Sequence, residues 1–273
     1  MTEWPLSYCT LDRSPLFGLR ETLHEQIDAA ARVGFAYVTP DMFSLRAYVE
    51  THGSVEPLAE LISARGLRVC DIAGCNVSAD RDASIAEATE LAGYARTLGA
   101  AWVQSRITAP LDPPVLDTYR RCAEITAEAG AAFGLEFSPF TPVDGLGRAR
   151  EVLAQVRDAA PGQAIVVDTW HLSHTDGVEA LAATSRDEIA FIQISDTEHG
   201  ADCSTAATMH HRALPGEGDI GLHGYVRALR SIGFDGIVTV EVLSASLRAL
   251  DTDEYARRAH DSTRAVLDAG THA

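Results

Sequence analysis

Basic residues are scarce in this sequence. Lys and Arg together number 22 against 39 Asp and Glu, which gives a formal net charge of −17 at pH 7. A protein of that charge repels phosphate backbones and supplies few of the cations that release counterions when a protein binds nucleic acid. The composition therefore predicts that nucleic acid is not a partner.

Long apolar runs and cysteine motifs are also missing. No stretch approaches the ~20 apolar residues that a bilayer-spanning helix needs, and residues 1–5 lack the basic region and apolar stretch of a secretory signal. The five cysteines are odd in number and form no Cys-x-x-Cys pair, which argues against a disulfide framework or a thiolate zinc site. We expect a cytoplasmic protein with no membrane partner.

Short apolar runs rich in Val and Ile alternate with amphipathic stretches of helical period along the chain, and no Ser/Gly/Pro-rich linker divides them. Helices are predicted over 84–98 and 114–129, and Gly34, Gly66 and Gly99 each follow a predicted helix as a C-terminal stop. Eight strands are predicted at residues 6–11, 36–40, 68–73, 102–106, 133–137, 164–169, 190–195 and 236–243.

This strand–helix repeat predicts an α/β fold, a single (β/α)8 TIM barrel that spans residues 1–273. The length suits that fold, which typically has about 250 residues. A doubly wound open sheet would normally carry a glycine-rich phosphate turn after its first strand. The sequence has no Gly-x-Gly-x-x-Gly there, so the barrel is favoured.

Polar residues interrupt four of the predicted strands at or near their C-terminal ends: Glu136, Asp168, Gln193 and Glu241. In a TIM barrel these strand ends form one rim, so the four side chains would converge over the barrel mouth. Three carboxylates that lie a few ångströms apart cannot all ionise unless a cation compensates them. We therefore predict an oxygen-donor site for one divalent metal ion.

The motifs around these residues resemble those of the xylose isomerase-like TIM barrels. That superfamily includes sugar phosphate isomerases and epimerases, ketose 3-epimerases, hydroxypyruvate isomerases, inosose dehydratases and type 2 apurinic endonucleases. The resemblance covers essentially the whole chain and is strongest from Gly134 onward. It is carried by Gly134-Leu-Glu-Phe, Asp168-Thr-Trp-His171, Phe191-Ile-Gln-Ile-Ser-Asp196, Arg212-Ala-Leu-Pro-Gly-Glu-Gly-Asp219 and Gly233-Phe-Asp-Gly-Ile-Val-Thr-Val-Glu241.

The resemblance implies that Glu136, Asp168, Gln193 and Glu241 are the metal ligands. It also implies that Glu136 and Glu241 stand on opposite faces of the substrate as an acid/base pair. Many relatives have a histidine where this chain has Gln193. Because an amide oxygen is a harder ligand than imidazole, we expect Mn²⁺ or Mg²⁺ to be favoured, with Co²⁺ or Zn²⁺ as alternatives.

Three further residues are candidates for substrate binding. His171 and Arg212 match positions that bind substrate oxygens in the resembling family. Arg106 lies at the end of the fourth predicted strand and is a candidate contact for a hydroxyl or phosphate group, although an ion pair with a nearby acid would explain it equally well. Histidines 199, 210 and 211 lie in a polar stretch after the seventh strand. Three histidines in one segment suggest a second metal site as an alternative.

We expect an isomerase or epimerase that uses a divalent metal to move a proton through an enediolate of a small keto sugar or polyol-derived ketone. A dehydratase of the inosose or dehydroshikimate type is the alternative, because its reaction begins with the same proton abstraction. A non-catalytic binding subunit is less favoured. An apurinic endonuclease is also disfavoured. The residues at the ends of the early strands are Tyr8, Thr39, Asp41 and Asn76, and none of them is a histidine.

The segment after the seventh strand bears on the substrate. Gly216-Glu-Gly-Asp is acidic and poorly suited to bind a phosphate, so we expect an unphosphorylated small-molecule substrate. The sequence is also compatible with a homo-oligomer.

Overall fold

A computed structural model describes residues 3–158 and 162–269; the remaining residues of the predicted domain, 1–2, 159–161 and 270–273, lie outside the described part. Within it, parallel strands alternate with helices along the chain, as the sequence predicts. The strands are β1 (Leu6–Cys9), β2 (Tyr37–Thr39), β3 (Arg68–Val69), β4 (Asp71–Val77), β5 (Trp102–Ile107), β6 (Ala132–Glu136), β7 (Ala164–Asp168), β8 (Ile189–Ile194), β9 (Asp196–Thr197), β10 (Arg212–Ala213) and β11 (Val238–Val240).

Nine of the described strands form one sheet in the order β3-β2-β1-β11-β8-β7-β6-β5-β4. All its neighbouring strands are parallel. The two end strands, β3 and β4, are separated in the chain only by Cys70, whose backbone N–H donates to the Val38 carbonyl at 2.9 Å. The sheet therefore curls into a nearly closed barrel, and the predicted TIM barrel is confirmed.

Helices surround the barrel. Aspartates cap several of them: Asp80 accepts a hydrogen bond from the Ala83 N–H and Asp112 from the Val115 N–H, which satisfies donors that a helix start leaves unpaired. The α-helices are α1 (Leu23–Val33), α2 (Met42–His52), α3 (Glu56–Ala64), α4 (Arg81–Leu98), α5 (Pro113–Glu128), α6 (Leu146–Val156), α7 (Thr169–Ser173), α8 (Gly177–Ala182), α9 (Thr205–His210), α10 (Leu222–Ser231), α11 (Ala245–Arg248) and α12 (Thr252–Ala269).

Several predicted boundaries were wrong by a few residues. The helix predicted from 84 begins at Arg81 because Asp80 caps it. The first strand ends at Cys9, since Leu11–Arg13 forms a 3-10 turn. The strand predicted over 68–73 is two strands that continue to Val77, and the last strand covers only Val238–Val240 of the predicted 236–243. The described part of the sheet therefore contains nine strands, because the third predicted strand is divided into β3 and β4.

Side-chain alternation positions the site. Leu135, Val167 and Val240 lie in the large core between sheet and helices, whereas Val166 and Phe191 belong to a separate cluster of sheet residues. Because successive residues of a strand point to opposite faces, the polar residues one position after Leu135, Val167 and Val240 share the opposite, inward face. Among the described residues, no helix is both long and apolar enough to cross a membrane.

Candidate active site

Asp168 connects a strand end to a helix start. It is the last residue of β7 and also caps α7, where its Oδ1 accepts hydrogen bonds from the backbone N–H groups of Trp170 at 2.7 Å and His171 at 3.1 Å. A carboxylate at this position satisfies two otherwise unpaired donors. The cap also fixes His171 beside the barrel mouth.

Glu136 ends β6 and is only 2% exposed. Its Oε1 lies 3.7 Å from His171 Nε2, and its Oε2 lies 3.0 Å from Arg106 Nε in an ion pair without hydrogen-bond geometry. Potential ligand atoms of Glu136, Asp168 and His171 all lie within 4.8 Å of one another. The structure therefore places His171, which the sequence assigned to the substrate, within reach of a shared cation.

Arg212 lies at the start of β10, which pairs antiparallel with β9, and its guanidinium is buried. Nη1 lies 2.7 Å from Asp168 Oδ2 and 3.5 Å from Glu241 Oε2. Nε donates to the Thr208 carbonyl and Nη2 to the Thr208 hydroxyl, at 2.9 and 2.8 Å. Thr208 and Asp168 thus hold the guanidinium in place. Its positive charge lies beside two buried carboxylates, those of Asp168 and Glu241.

Glu241 directly follows β11, and its backbone N–H still donates to the Ile194 carbonyl of the neighbouring strand. Its Oε1 accepts a hydrogen bond from Gln193 Nε2 at 3.1 Å and lies 3.5 Å from Cys9 Sγ. The other side-chain atom of the amide, Gln193 Oε1, is buried and has no hydrogen-bond partner among the described residues. An unpaired buried oxygen is costly, and a cation would satisfy it.

The three carboxylates differ in acidity because their surroundings differ. Burial raises the pKa of Glu136, and burial raises the pKa of Glu241 to about 8. Burial acts in the same direction on Asp168 and is the largest single influence, but the charge of Arg212, the electrostatic influence of His171 and the hydrogen bonds from both residues together outweigh it and lower the pKa of that carboxyl. Burial lowers the pKa of His171 to about 3, so its imidazole is neutral at physiological pH.

The donor set fits a divalent cation. Among the described residues, three buried carboxylates face only two guanidinium groups, and the buried Gln193 Oε1 and Glu136 Oε2 lack hydrogen-bond partners. Carboxylate and amide oxygens suit Mg²⁺ and Mn²⁺, and imidazole adds affinity for Zn²⁺. All seven residues predicted for the site lie at this end of the barrel or are connected to it by ion pairs and hydrogen bonds.

A cavity of about 280 Å³ opens over this end of the barrel. Glu136, Glu241, His171, Arg106 and Arg212 line it, whereas Asp168 and Gln193 do not. Sequence reasoning missed Gln104 and the apolar residues of the lining. No local sequence pattern identifies these residues. An apolar residue at the start of a helix, for example, gives the same sequence pattern whether it packs in the core or faces a cavity.

Asp196 has a structural role that the sequence left open. Its carboxylate accepts hydrogen bonds from the backbone N–H groups of Thr197, Gly216 and Ile220. It therefore holds the loop that follows Arg212.

The histidines after β8 do not gather around a second metal in the described residues. His199 pairs with Asp219 and His211 with Glu198, while His210 contacts the Phe17 ring. Among the described residues, Glu136, Asp168 and His171 form the only group of three or more His, Cys, Asp or Glu side chains whose potential ligand atoms all lie within 4.8 Å of one another.

A family model described as a xylose isomerase-like TIM barrel matches residues 27–266. The chain belongs to that family. Within it, the chain is 26% identical to an inosose isomerase of Bacillus velezensis over 267 residues, which cover 90% of this chain and 92% of that protein. A 3-dehydroshikimate dehydratase of Pseudomonas putida is 26% identical over 108 residues, 39% of this chain and 16% of that protein.

A solved structure of the IolI protein with a bound zinc atom superposes on this xylose isomerase-like barrel with a TM-score of 0.84. The match covers 98% of this chain and 100% of that one at 20% sequence identity. At this identity the superposition establishes the shared fold.

Proposed function

We propose that this xylose isomerase-like barrel is a metal-dependent isomerase or epimerase of a small keto sugar or polyol-derived ketone. The observation that carries the proposal is that Glu136 and Glu241 line one cavity together with His171 and Arg212. Two carboxylates on one small cavity suit a reaction that removes a proton and returns it. The similarity to an inosose isomerase over 90% of this chain supports the same reaction class.

Glu136, Asp168, Gln193 and Glu241 would hold the metal, with His171 as a further ligand within reach. When bound, a divalent cation stabilises the negative charge that develops on a carbonyl oxygen as the neighbouring carbon loses its proton. The chain contains no lysine, so it cannot form the imine by which other enzymes delocalise that charge. This supports a metal as the source of the stabilisation.

The protein's own groups would carry the proton and hold the substrate. One of Glu136 and Glu241 removes the proton from the carbon between carbonyl and hydroxyl, which gives an enediolate, and the other returns a proton. Such transfers typically contribute ~10²–10⁴ in rate. His171 Nδ1 is buried without a hydrogen-bond partner among the described residues, so it is available to a substrate hydroxyl, and Arg106 and Arg212 would bind further oxygens.

A dehydratase is the second candidate, supported by the similarity to a 3-dehydroshikimate dehydratase. It would use the same groups for the first proton abstraction. The reactions then diverge: reprotonation of carbon gives an isomer, whereas loss of a β-hydroxyl gives water and an enone.

The test is metal analysis followed by incubation with ketoses and cyclic ketones in D₂O, monitored by NMR. Deuterium on the carbon next to the carbonyl without loss of water supports the isomerase, and an ultraviolet-absorbing enone supports the dehydratase. Glu136→Gln and Glu241→Gln should each abolish exchange, whereas the control His199→Gln, at an exposed side chain, should not. The proposal fails if Mn²⁺, Mg²⁺, Co²⁺ and Zn²⁺ neither bind, nor stabilise the fold, nor produce exchange.

A further inference from the structure

One side of the candidate cavity is apolar. Leu11, Met42, Phe43, Met209 and Leu243, together the apolar wall, all line it, and four of them belong to or pack against one small hydrophobic cluster. Two of the three exposed large apolar side chains in the described residues, Leu16 and Phe140, line the same cavity. Apolar side chains therefore also reach the exposed rim of the cavity.

Met42 is held in the wall by a glycine opposite it. A Cβ added at Gly74 would lie 2.5 Å from Met42 Sδ and 2.8 Å from its Cγ, so only glycine lets the thioether lie against this backbone. Gly74 also has a φ of +128°, which L side chains rarely adopt. The position of the apolar surface is thus fixed by the fold.

Several polar side chains of the cavity lining are already engaged. The Asn76 amide donates to the Gly74 carbonyl at 3.1 Å and to Glu87 at 3.3 Å. The Thr141 hydroxyl donates to the Val143 carbonyl, and the Thr208 hydroxyl accepts from Arg212. A substrate hydroxyl on this side would lose its water and meet few partners, which costs free energy.

Free hydrogen-bonding capacity lies on β5, β6 and the start of the helix after β7, and the strand order places these across the nearly closed barrel from β1, β2 and β11, which precede Leu11, Met42 and Leu243. Gln104 Oε1, Glu136 Oε2 and His171 Nδ1 are buried and have no hydrogen-bond partner among the described residues, and all three residues line the cavity. Its two arginines, Arg106 and Arg212, are already ion-paired with Glu136 and with Asp168 and Glu241. These carboxylates compensate the positive charge of both guanidinium groups, which leaves little net positive charge to attract a phosphate dianion.

We propose that the substrate is an unphosphorylated α-hydroxyketone whose oxygens lie along one edge and whose opposite edge is deoxygenated and packs on the apolar wall. This inference rests on the proposed function, which supplies the reacting edge. It distinguishes this chain's substrate from a fully hydroxylated inosose. An apolar pocket typically discriminates by about 10²-fold against a ligand that differs only by one added hydroxyl.

The test uses two ketones with the same ring and the same reacting edge. 2-Hydroxycyclohexanone carries only the α-hydroxyketone, whereas myo-inosose carries hydroxyls on the remaining four ring carbons as well. Binding of each to the Mg²⁺-loaded protein is measured by calorimetry, and deuterium exchange of each in D₂O by NMR. We expect 2-hydroxycyclohexanone to bind at least about 10²-fold more tightly.

Met42→Gln, which adds an amide to the wall at nearly constant volume, should reduce this ratio by tenfold or more. Leu19→Gln changes an exposed residue that does not line the cavity and should leave the ratio unchanged. If Met42→Gln does not fold, the ratio for the unmodified protein decides. Equal binding, tighter binding of myo-inosose, or binding of neither ketone overturns the inference.

The two proposals fail in different ways. Selective binding of 2-hydroxycyclohexanone without deuterium exchange of either ketone upholds the apolar-edge inference and contradicts the isomerase. Exchange with tighter binding of myo-inosose upholds the isomerase and overturns the apolar-edge inference.

Discussion

Arg212 Nη1 lies 2.7 Å from Asp168 Oδ2, and neither side chain is more than 2% exposed. The pair joins the end of β7 to the start of β10, and the same nitrogen lies 3.5 Å from Glu241. Removal of one member of a buried ion pair leaves a charge that neither water nor another side chain compensates. Arg212 is therefore the residue on which the charge balance of the site depends most.

Arg212→Met should destabilise the metal-free protein by about 3–5 kcal/mol because Asp168 is left unpaired. Urea unfolding in the presence of EDTA measures this loss. Added Mn²⁺ should restore part of it, since a cation would then face the same carboxylates. Arg46→Met is the control: its ion pairs with Glu87 and Glu90 are partly exposed and should be worth about 1 kcal/mol or less. Equal losses for the two variants would contradict the prediction.

Gln193→His should shift metal preference toward Zn²⁺. The substitution replaces an unpaired amide oxygen with an imidazole nitrogen, which suits Zn²⁺ better than Mn²⁺. We expect the ratio of Zn²⁺ to Mn²⁺ affinity to rise at least tenfold in competition titrations followed by metal analysis. Gln155→His adds an imidazole at an exposed helical position and should leave the ratio unchanged; an unchanged ratio in Gln193→His would remove Gln193 from the ligand set.

Gly218→Ala should disturb the loop that follows Arg212. A Cβ at Gly218 would overlap the carbonyl oxygen of Thr197 and approach the Asp196 carboxylate, so the backbone must shift, at a typical cost of about 1–3 kcal/mol. Thermal unfolding should show a lower Tm. Gly147→Ala, where an added Cβ meets nothing within 4 Å, should leave the Tm unchanged or raise it. Equal Tm values for the two variants would argue against the overlap.

Asp71, at the start of β4, should make stability depend on pH. It is fully buried, it accepts a hydrogen bond from the Thr39 hydroxyl at 2.6 Å, and burial raises its pKa from 3.8 to about 7. The folded state therefore holds the proton more tightly than the unfolded state, so the contribution of Asp71 to the unfolding free energy falls as pH rises from about 4 to about 7.

Asp71→Asn cannot ionise, so its stability relative to the unmodified protein should rise with pH in that window, by up to about 1.4 kcal/mol per pH unit. The rise should level off above about pH 7. Urea unfolding at pH 4.5, 5.5, 6.5 and 7.5 measures it, with the exposed Glu60→Gln as control. A difference that stays constant across these pH values would refute the assigned pKa.

Much of the site could be predicted because its elements are local. Alternation along β6 and β7 sets which face Glu136 and Asp168 share, and parallel strands bring their C-terminal ends to one rim. Boundaries were less predictable, since the Asp80 cap starts α4 at Arg81, three residues before the predicted start at residue 84. The engagement of Asp196 with loop N–H groups depends on a turn whose geometry leaves no periodic signal.

The sequence by itself determined the order of strands and helices, the barrel and the acidic character of its mouth. Hydrophobic periodicity and charge are properties of short segments, so they can be recognised without knowledge of distant contacts. Only the tertiary structure decided which charges meet. Arg212 reaches Asp168 across 44 positions of the chain, and Met42 joins the apolar wall because Gly74 leaves room for it. Closure of the barrel fixes these distances, and burial then sets the strength of each charge and hydrogen bond within it.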